Sequence, residues 1–193
     1  MARRKLILDV DTGTDDAVAV MLAALHPALD LVACTTVNGN VEVEHGTDNT
    51  LRVLDHIGRR DVPVYEGLSR PLVRPDFPIP RKVEDRAGKF HGKTLPLPPP
   101  TRGKADKGAV EFLIETYRQA TDEIVLVPVA PLTNIAAALT LYPKLVERVP
   151  EVVIMGGGHA IGNVTPSAEF NIWADPDAAA VVFAAGFPKL TLV

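Results

Sequence analysis

An acidic cluster lies near the start of the chain, in the stretch ILDVDTGTDDAVAV at residues 7–20. It contains Asp9, Asp11, Asp15 and Asp16, set between an apolar run typical of a strand and an apolar run typical of a helix. Carboxylates this close repel one another, and a neighbouring core removes part of their hydration. The pattern therefore predicts that something cationic offsets their charge.

Helix capping explains only part of the acidic cluster. Thr14 is a candidate N-cap, which places Asp15 and Asp16 in the first helical turn, where unpaired backbone N–H groups favour carboxylates. Asp9 and Asp11 precede the glycine turn and lie beyond that effect. Calcium and magnesium prefer carboxylate oxygens, and the stretch offers neither a thiolate nor a pair of histidines. A hard divalent cation that makes a bound water easier to deprotonate is the preferred interpretation.

The elements that must position these acids alternate along the chain. Short apolar, β-branched runs predict strands at residues 5–10, 29–37, 62–65, 123–129, 151–157 and 189–193. Helical patterns fall between them, at residues 15–26, 43–57, 107–120, 133–141 and 176–185. Strand followed by helix, repeated, predicts an α/β fold: a predominantly parallel open sheet with helices on both faces.

Polar residues follow the carboxyl end of each predicted strand. They include the acidic cluster after the first strand and, further on, Asn40, His91, Asn134, Asn163, Glu169 and Asn171. Because the carboxyl ends of parallel strands share one rim of the sheet, we expect a site at that rim. The glycines at 156–158 allow close backbone approach but match neither a P-loop nor a GxGxxG pattern.

Composition excludes several classes of protein. The 193 residues are 47% hydrophobic and carry a net charge of −4, which suits one globular domain and not a nucleic-acid-binding protein. No apolar run approaches the roughly 18 residues that a membrane span needs. The apolar run near the amino terminus is broken too early for a signal peptide, so we expect a cytoplasmic protein. Cys34, the single cysteine, is expected to be a buried hydrophobe.

Residues 67–103 depart from the alternation of strands and helices. They hold eight prolines and no helical period, which predicts a loop or lid within a single domain, with disorder as the alternative. The turn-like FHGK at 90–93 favours the lid.

The chain ends on the predicted sixth strand, just where a functional loop is expected, so we expect the 1–193 domain to be incomplete at its C-terminal side.

Several blocks of the sequence together resemble the inosine-uridine preferring nucleoside hydrolases. They are DVDTGTDDAVAV, TTVNGN, the FHG turn, VPVAPLTNIAAAL, VVIMGGG and GNVTPSAEFNIWADPDAA. The resemblance runs in order over essentially the whole chain. It implies a calcium-dependent enzyme that hydrolyses the N-glycosidic bond of ribonucleosides to ribose and free base, commonly as a dimer or tetramer.

The resemblance also implies roles for individual residues. Asp11 would ligate Ca²⁺ and act as general base to the attacking water, Asp16 would chelate the ion, and Val129 would supply a backbone carbonyl. The ribose would be held by Asp15, Asn40, Asn163, Glu169 and Asn171, and His91 would approach the base. Carboxylates and amide oxygens are suited to stabilise the oxocarbenium-like sugar of such a reaction.

The chain departs from the family pattern in two ways. Thr12 stands where the family usually has proline. Family members are also longer, and the additional part normally carries a further calcium-binding aspartate and a histidine near the leaving base. Base preference is therefore not assigned.

Two other functions fit parts of the sequence. A magnesium-dependent phosphatase of the haloacid dehalogenase type has a DxDxT motif after a strand, which Asp9 and Asp11 imitate, but Gly13 stands where that motif needs a hydroxyl. A nucleoside- or ribose-binding protein without turnover is the second alternative.

Overall fold

The computed structural model describes residues 3–74 and 91–193. In these ranges six strands form one sheet in the order β3-β2-β1-β4-β5-β6, with parallel pairing between all neighbours. The strands are β1 (Arg4–Val10), β2 (Leu29–Thr36), β3 (Val64–Glu66), β4 (Ile124–Pro128), β5 (Val152–Ile154) and β6 (Leu190–Leu192). The predicted α/β class and all six strands are confirmed.

The longer helices are α1 (Thr14–Leu25), α2 (Val43–His56), α3 (Ala109–Gln119), α4 (Thr133–Leu141) and α7 (Pro176–Ala184). These are the five predicted helices, with ends shifted by at most two residues. Two short helices were not predicted, α5 (Leu145–Arg148) and α6 (Phe170–Ala174). The predicted cap was wrong by one position, because α1 begins at Thr14 itself and Gly13 occupies the N-cap position.

Two apolar clusters lie on opposite faces of the sheet. On one face α3, α4, α5 and α7 pack against side chains that include Ile7, Leu126 and Ile154. On the other face α1 and α2 pack against side chains that include Leu8 and Val10. Both faces therefore carry helices, as expected for a parallel sheet whose strands are apolar throughout. No helix in the described ranges has the length and apolar character needed to cross a membrane.

Part of the predicted loop or lid at 67–103 lies outside the described residues. The described parts, 67–74 and 91–103, contain no helix or strand. The loop is tied to the domain at its start, since the backbone N–H of Leu72 donates to the buried Asp175 carboxylate at 2.7 Å. Asp175 also accepts from Ala178 N and so caps α7. The lid remains a prediction, as does the single, incomplete domain.

A buried amide joins the carboxyl ends of β1 and β2 to the start of α4. Asn134 is fully buried, and its Nδ2 donates to the Asp9 carboxylate and to the Thr36 carbonyl, both at 2.9 Å. Its Oδ1 accepts from Leu68 N at 3.0 Å. Since these partners are distant in sequence, Asn134 orders the rim where the predicted site residues lie.

We predict that Asn134→Ala destabilises the fold by about 1–3 kcal/mol, because it leaves buried donors and acceptors without partners. The free energy of unfolding from urea titration measures this. Asn163→Ala is the matched control: Asn163 lies exposed on a loop, and its replacement should change the free energy of unfolding by no more than about 0.5 kcal/mol. Equal effects of the two substitutions would contradict the assigned role.

Candidate active site

A cavity of about 620 Å³ opens at the carboxyl ends of the strands. Most of the predicted site residues line it: Asp15, Asp16, Asn40, His91, Val129, Asn163, Glu169 and Asn171. They come from five separate stretches of the chain, and the parallel order of the sheet brings these stretches to one rim. The volume of the cavity lies within the roughly 300–1,000 Å³ typical of small-molecule sites.

Asp11 lies beside this cavity and is 1% exposed. Asn40 holds its carboxylate twice: the backbone N–H donates to Oδ2, and the side-chain Nδ2 lies 3.3 Å from Oδ1. The backbone of Gly39 passes so close that a Cβ there would overlap Oδ2 of Asp11. The TTVNGN block therefore positions the first acid after β1, and it needs glycine at residue 39 to do so.

Asp16 lies directly beside Asp11. It is 4% exposed, and its Oδ2 accepts a hydrogen bond of 2.8 Å from the backbone N–H of Asp11. Burial raises the pKa of Asp11 to about 6. Burial, and then the charge of Asp11, raises the pKa of Asp16 well above its ordinary value. These two carboxyls therefore resist being ionised together without a cation.

The other two acids of the cluster are in different surroundings. The Asp15 carboxylate lines the cavity and is 67% exposed. Asp9 is fully buried below the rim, where Oδ1 accepts from Thr35 at 2.5 Å and from Asn134, while Oδ2 has no hydrogen-bond partner. Burial raises the pKa of Asp9 to about 7. Of the four acids, only Asp11 and Asp16 are both buried at the rim.

Within residues 3–74 and 91–193, no three His, Cys, Asp or Glu side chains are grouped in a way that could hold a metal ion. Of the residues predicted to ligate a metal, Asp11 and Asp16 lie side by side, and Val129 lines the same cavity as Asp16. They offer hard oxygen ligands of the type that calcium and magnesium prefer.

Glu169 and Asn171 form the opposite wall of the cavity, and both also have structural contacts. The Glu169 carboxylate caps α6, accepting from Asn171 N at 3.0 Å, and it accepts from Gly157 N at 2.9 Å. The side-chain amide of Asn171 donates to the carbonyls of Val129 and Met155, both at 3.1 Å. A carbonyl oxygen has two lone pairs, so Val129 retains capacity for a further ligand.

His91 reaches the cavity from the loop that follows the undescribed segment. Its Nδ1 lies 3.5 Å from the Asp15 carboxylate and has no hydrogen-bond partner. The ring lies over Gly13, where any Cβ would overlap Nδ1. Glycine at residue 13 therefore leaves room for the His91 ring and also forms the turn between β1 and α1.

The sequence did not point to several residues of the site. Ala19, Met155, Val164 and Phe170 also line the cavity and give it an apolar part. Apolar residues of these types are equally common in a core, so only the fold could reveal them.

Thr12, the departure from the family pattern, is buried and shares a hydrogen bond of 2.7 Å with Thr50 on α2. That bond anchors the turn in place of a proline ring.

An α/β domain with acids and amides at the strand ends is typical of small-molecule binding sites, and comparison with known proteins identifies the family. The inosine-uridine preferring nucleoside hydrolase model matches residues 6–193. The chain belongs to this family. The match does not favour the phosphatase alternative.

Curated relatives and solved structures agree with this assignment. The pyrimidine-specific ribonucleoside hydrolase RihB of Escherichia coli strain SE11 is 44% identical over 196 residues, which is 100% of this chain and 60% of RihB. The plant nucleoside hydrolase PpNRh1 superposes with a TM-score of 0.86 at 36% identity, over 98% of this chain and 60% of that protein. A purine-preferring ribonucleoside hydrolase from Gardnerella vaginalis gives 0.83 at 34% identity, with the same coverage. The chain thus spans about 60% of the length of these relatives.

We predict that Asp9 makes the metal-free protein less stable as pH rises. Its pKa is about 7 in the folded protein against an ordinary value of 3.8, so between these values the folded state keeps a proton that the unfolded state has released. The stability that Asp9 contributes is complete below about pH 3.8 and is lost as pH rises through about 7. Asp9→Asn removes this dependence and should gain stability relative to wild type across that window, by up to about 1.4 kcal/mol per unit of pKa shift.

Urea titrations of both proteins in the presence of a chelator, at several pH values between 4 and 7.5 (roughly the window set by this linkage), measure the difference. A difference that is constant with pH would show that Asp9 ionises as freely in the folded chain as in the unfolded one.

Proposed function

We propose that the cavity binds a ribonucleoside and hydrolyses its N-glycosidic bond to give ribose and the free base. One observation carries the proposal: two buried carboxylates, Asp11 and Asp16, lie against a cavity lined by the amides of Asn40, Asn163 and Asn171. Carboxylates and amides together supply the donors and acceptors that sugar hydroxyls need. Membership of the nucleoside hydrolase family supports the same reaction.

Calcium is the proposed cofactor. Asp11 and Asp16 would hold it through their carboxylates and Val129 through its carbonyl, a donor set of hard oxygens. The raised pKa values of the two buried acids fit this assignment, because a bound cation relieves both their mutual repulsion and their loss of hydration. When bound, the ion polarises water and lowers its pKa.

In this proposal Asp11 acts as general base and accepts a proton from the attacking water. Asn40 keeps the Asp11 carboxylate in place through both of its N–H donors. Asp15, Asn40, Asn163, Glu169 and Asn171 are proposed to hold the ribose, and His91 to lie near the base. As the C–N bond breaks, the carboxylates stabilise positive charge on the sugar.

A nucleoside- or ribose-binding protein without turnover is the second candidate. The observation that favours it is the small donor set: the ligands proposed from the described residues are two carboxylates and one carbonyl, fewer than the 6–8 oxygens that calcium usually takes. Base preference is not proposed, because RihB is named as pyrimidine-specific and the Gardnerella protein as purine-preferring. The cytoplasmic location and the homo-oligomeric state, dimer or tetramer, stay predictions.

The function is tested by measuring reducing sugar released from inosine and from uridine, with and without calcium. Calcium-dependent release of ribose supports the hydrolase. Calcium-dependent nucleoside binding without release selects the binding protein, and neither binding nor release would overturn both.

We predict that Asp11→Ala abolishes calcium binding together with any ribose release. Loss of a direct ligand should weaken binding by more than the roughly 10–100-fold typical of residues that only orient a ligand. Calorimetric titration with calcium measures the affinity. Circular dichroism serves as the control that the variant is folded, and an unchanged affinity would reject the assignment of Asp11.

We predict that Gly39→Ala also weakens calcium binding, by about 10-fold or more, because the new methyl group displaces the Asp11 carboxylate. Gly103→Ala is the matched control, since a Cβ at residue 103 meets nothing within 4 Å. Calcium titration of the two variants under the same conditions makes the comparison. If the two bind calcium equally, the tight approach of Gly39 to Asp11 has no role in the site.

A further inference from the structure

The His91 ring reaches the cavity although no hydrogen bond holds its Nδ1. That atom is buried without a hydrogen-bond partner, and its contact with the exposed Asp15 carboxylate is 3.5 Å long. The next residue is Gly92, whose backbone is conformationally permissive because it has no side chain. The position of the ring therefore depends on what holds the segment that carries it, the His91 loop at residues 91–97.

Asn49 on α2 joins the His91 loop to the turn that follows β1. It is fully buried. Its Nδ2 donates to the Thr12 carbonyl at 3.0 Å and to the Lys93 carbonyl at 3.3 Å. Its Oδ1 accepts from Leu95 N at 2.9 Å. One buried amide thus binds two residues of the loop and one residue of the turn.

Helix α2 is a fixed support for this amide. The Thr50 hydroxyl shares a hydrogen bond of 2.7 Å with that of Thr12, and the Thr47 hydroxyl shares one of 2.7 Å with that of Thr36 at the end of β2. Both pairs are buried. Asn49 lies between Thr47 and Thr50 in sequence, so the part of α2 that carries it is tied to the carboxyl ends of the strands.

Two other contacts of the His91 loop join it to the region of α2 and leave the turn aside. Arg52 Nη1 donates to the Leu97 carbonyl at 2.6 Å, further along the loop. Lys93 Nζ lies 3.5 Å from the Glu42 carboxylate, and exposed pairs of this kind contribute little. Asn49 differs from both because its amide also binds the turn.

We propose that Asn49 is a positioning residue, which fixes the His91 ring over Gly13 by joining the His91 loop to the Thr12 carbonyl. Gly13 directly follows Thr12, so the same amide sets both partners of this close approach. Asn49 does not line the cavity and therefore acts through His91. The position of the ring is argued from these contacts alone. Its consequence for a ligand rests on the proposed function, in which His91 lies near the base.

The position of the ring is tested by NMR on the ligand-free 193-residue chain. Nuclear Overhauser effects between His91 Hε1 and the α protons of Gly13 are expected in the unsubstituted chain and should be lost in Asn49→Ala. Arg52→Met is the matched control and should keep them, because it loses a loop contact that does not involve the turn. Their absence from the unsubstituted chain, or their survival in Asn49→Ala, would overturn the proposal.

Asn49→Asp serves as a second variant if Asn49→Ala does not fold. It keeps the size of the side chain and an acceptor for Leu95 N, but it removes both donated hydrogen bonds. The same loss of the signals between His91 and Gly13 is expected, and their survival would contradict the proposal.

The consequence for a ligand is tested with inosine and uridine in the presence of calcium. The measured quantity is kcat/KM for ribose release, or nucleoside affinity if binding occurs without release. Asn49→Ala should lower it by about 10-fold or more, because the group near the base is displaced. In a His91→Ala background the same substitution should cost less than about 2-fold. Equal costs in the two backgrounds would show that Asn49 does not act through His91.

Calcium titration separates positioning from general disruption of the rim. Asn49→Ala should leave calcium affinity unchanged, because Asn40 and the backbone of Asp11 hold the two proposed carboxylate ligands. Loss of calcium binding together with nucleoside binding would contradict a role through His91. If the unsubstituted chain neither binds nor cleaves a nucleoside, the proposed function fails, and the NMR comparison still decides whether Asn49 positions the ring.

Discussion

The site depends on two carboxylates held side by side in a buried position at the end of β1. Asp11 and Asp16 are each less than 5% exposed, and the charge of Asp11 disfavours ionisation of Asp16. Either protonation or a bound cation can relieve the repulsion between the two carboxylates. Only a cation does so while both acids stay ionised and able to act as ligands. The surrounding sequence serves this arrangement: Gly39 leaves space for Oδ2 of Asp11, Asn40 donates to it, and the backbone of Asp11 donates to Asp16.

The signature blocks of the family combine residues that we propose bind a ligand with residues that hold the rim together. Asp9 belongs to the same block as Asp11, yet it lies below the rim and joins β1 to Thr35 and Asn134. Asp175, in the last block, caps α7 and holds the start of the long loop. Glu169 lines the cavity and also caps α6. A substitution in these blocks can therefore impair the site by releasing a loop, without removing a group that touches a ligand.

Much of the fold was predictable because the signals are local. Runs of apolar, β-branched residues separated by helical patterns predict strand order along the chain, and parallel pairing follows from the connections. The short helix α6 was missed because its cap is the side chain of Glu169, a residue that was interpreted only as a ligand for ribose. The different surroundings of the four acids were not predictable from their spacing, because β1 ends at Val10 and α1 begins at Thr14, so the chain turns between Asp9 and Asp15. The contact between Asp9 and Asn134 joins residues far apart in sequence and has no local signal.

The central claim is that Asp11 and Asp16 are kept together to bind a divalent cation. The most direct measurement is anomalous diffraction from crystals grown with calcium. The account predicts a peak about 2.3–2.6 Å from oxygens of both carboxylates and of the Val129 carbonyl, which is the usual range for calcium ligands. A structure at the same calcium concentration with no peak, and with the two carboxyls sharing a proton in a direct hydrogen bond, would contradict it.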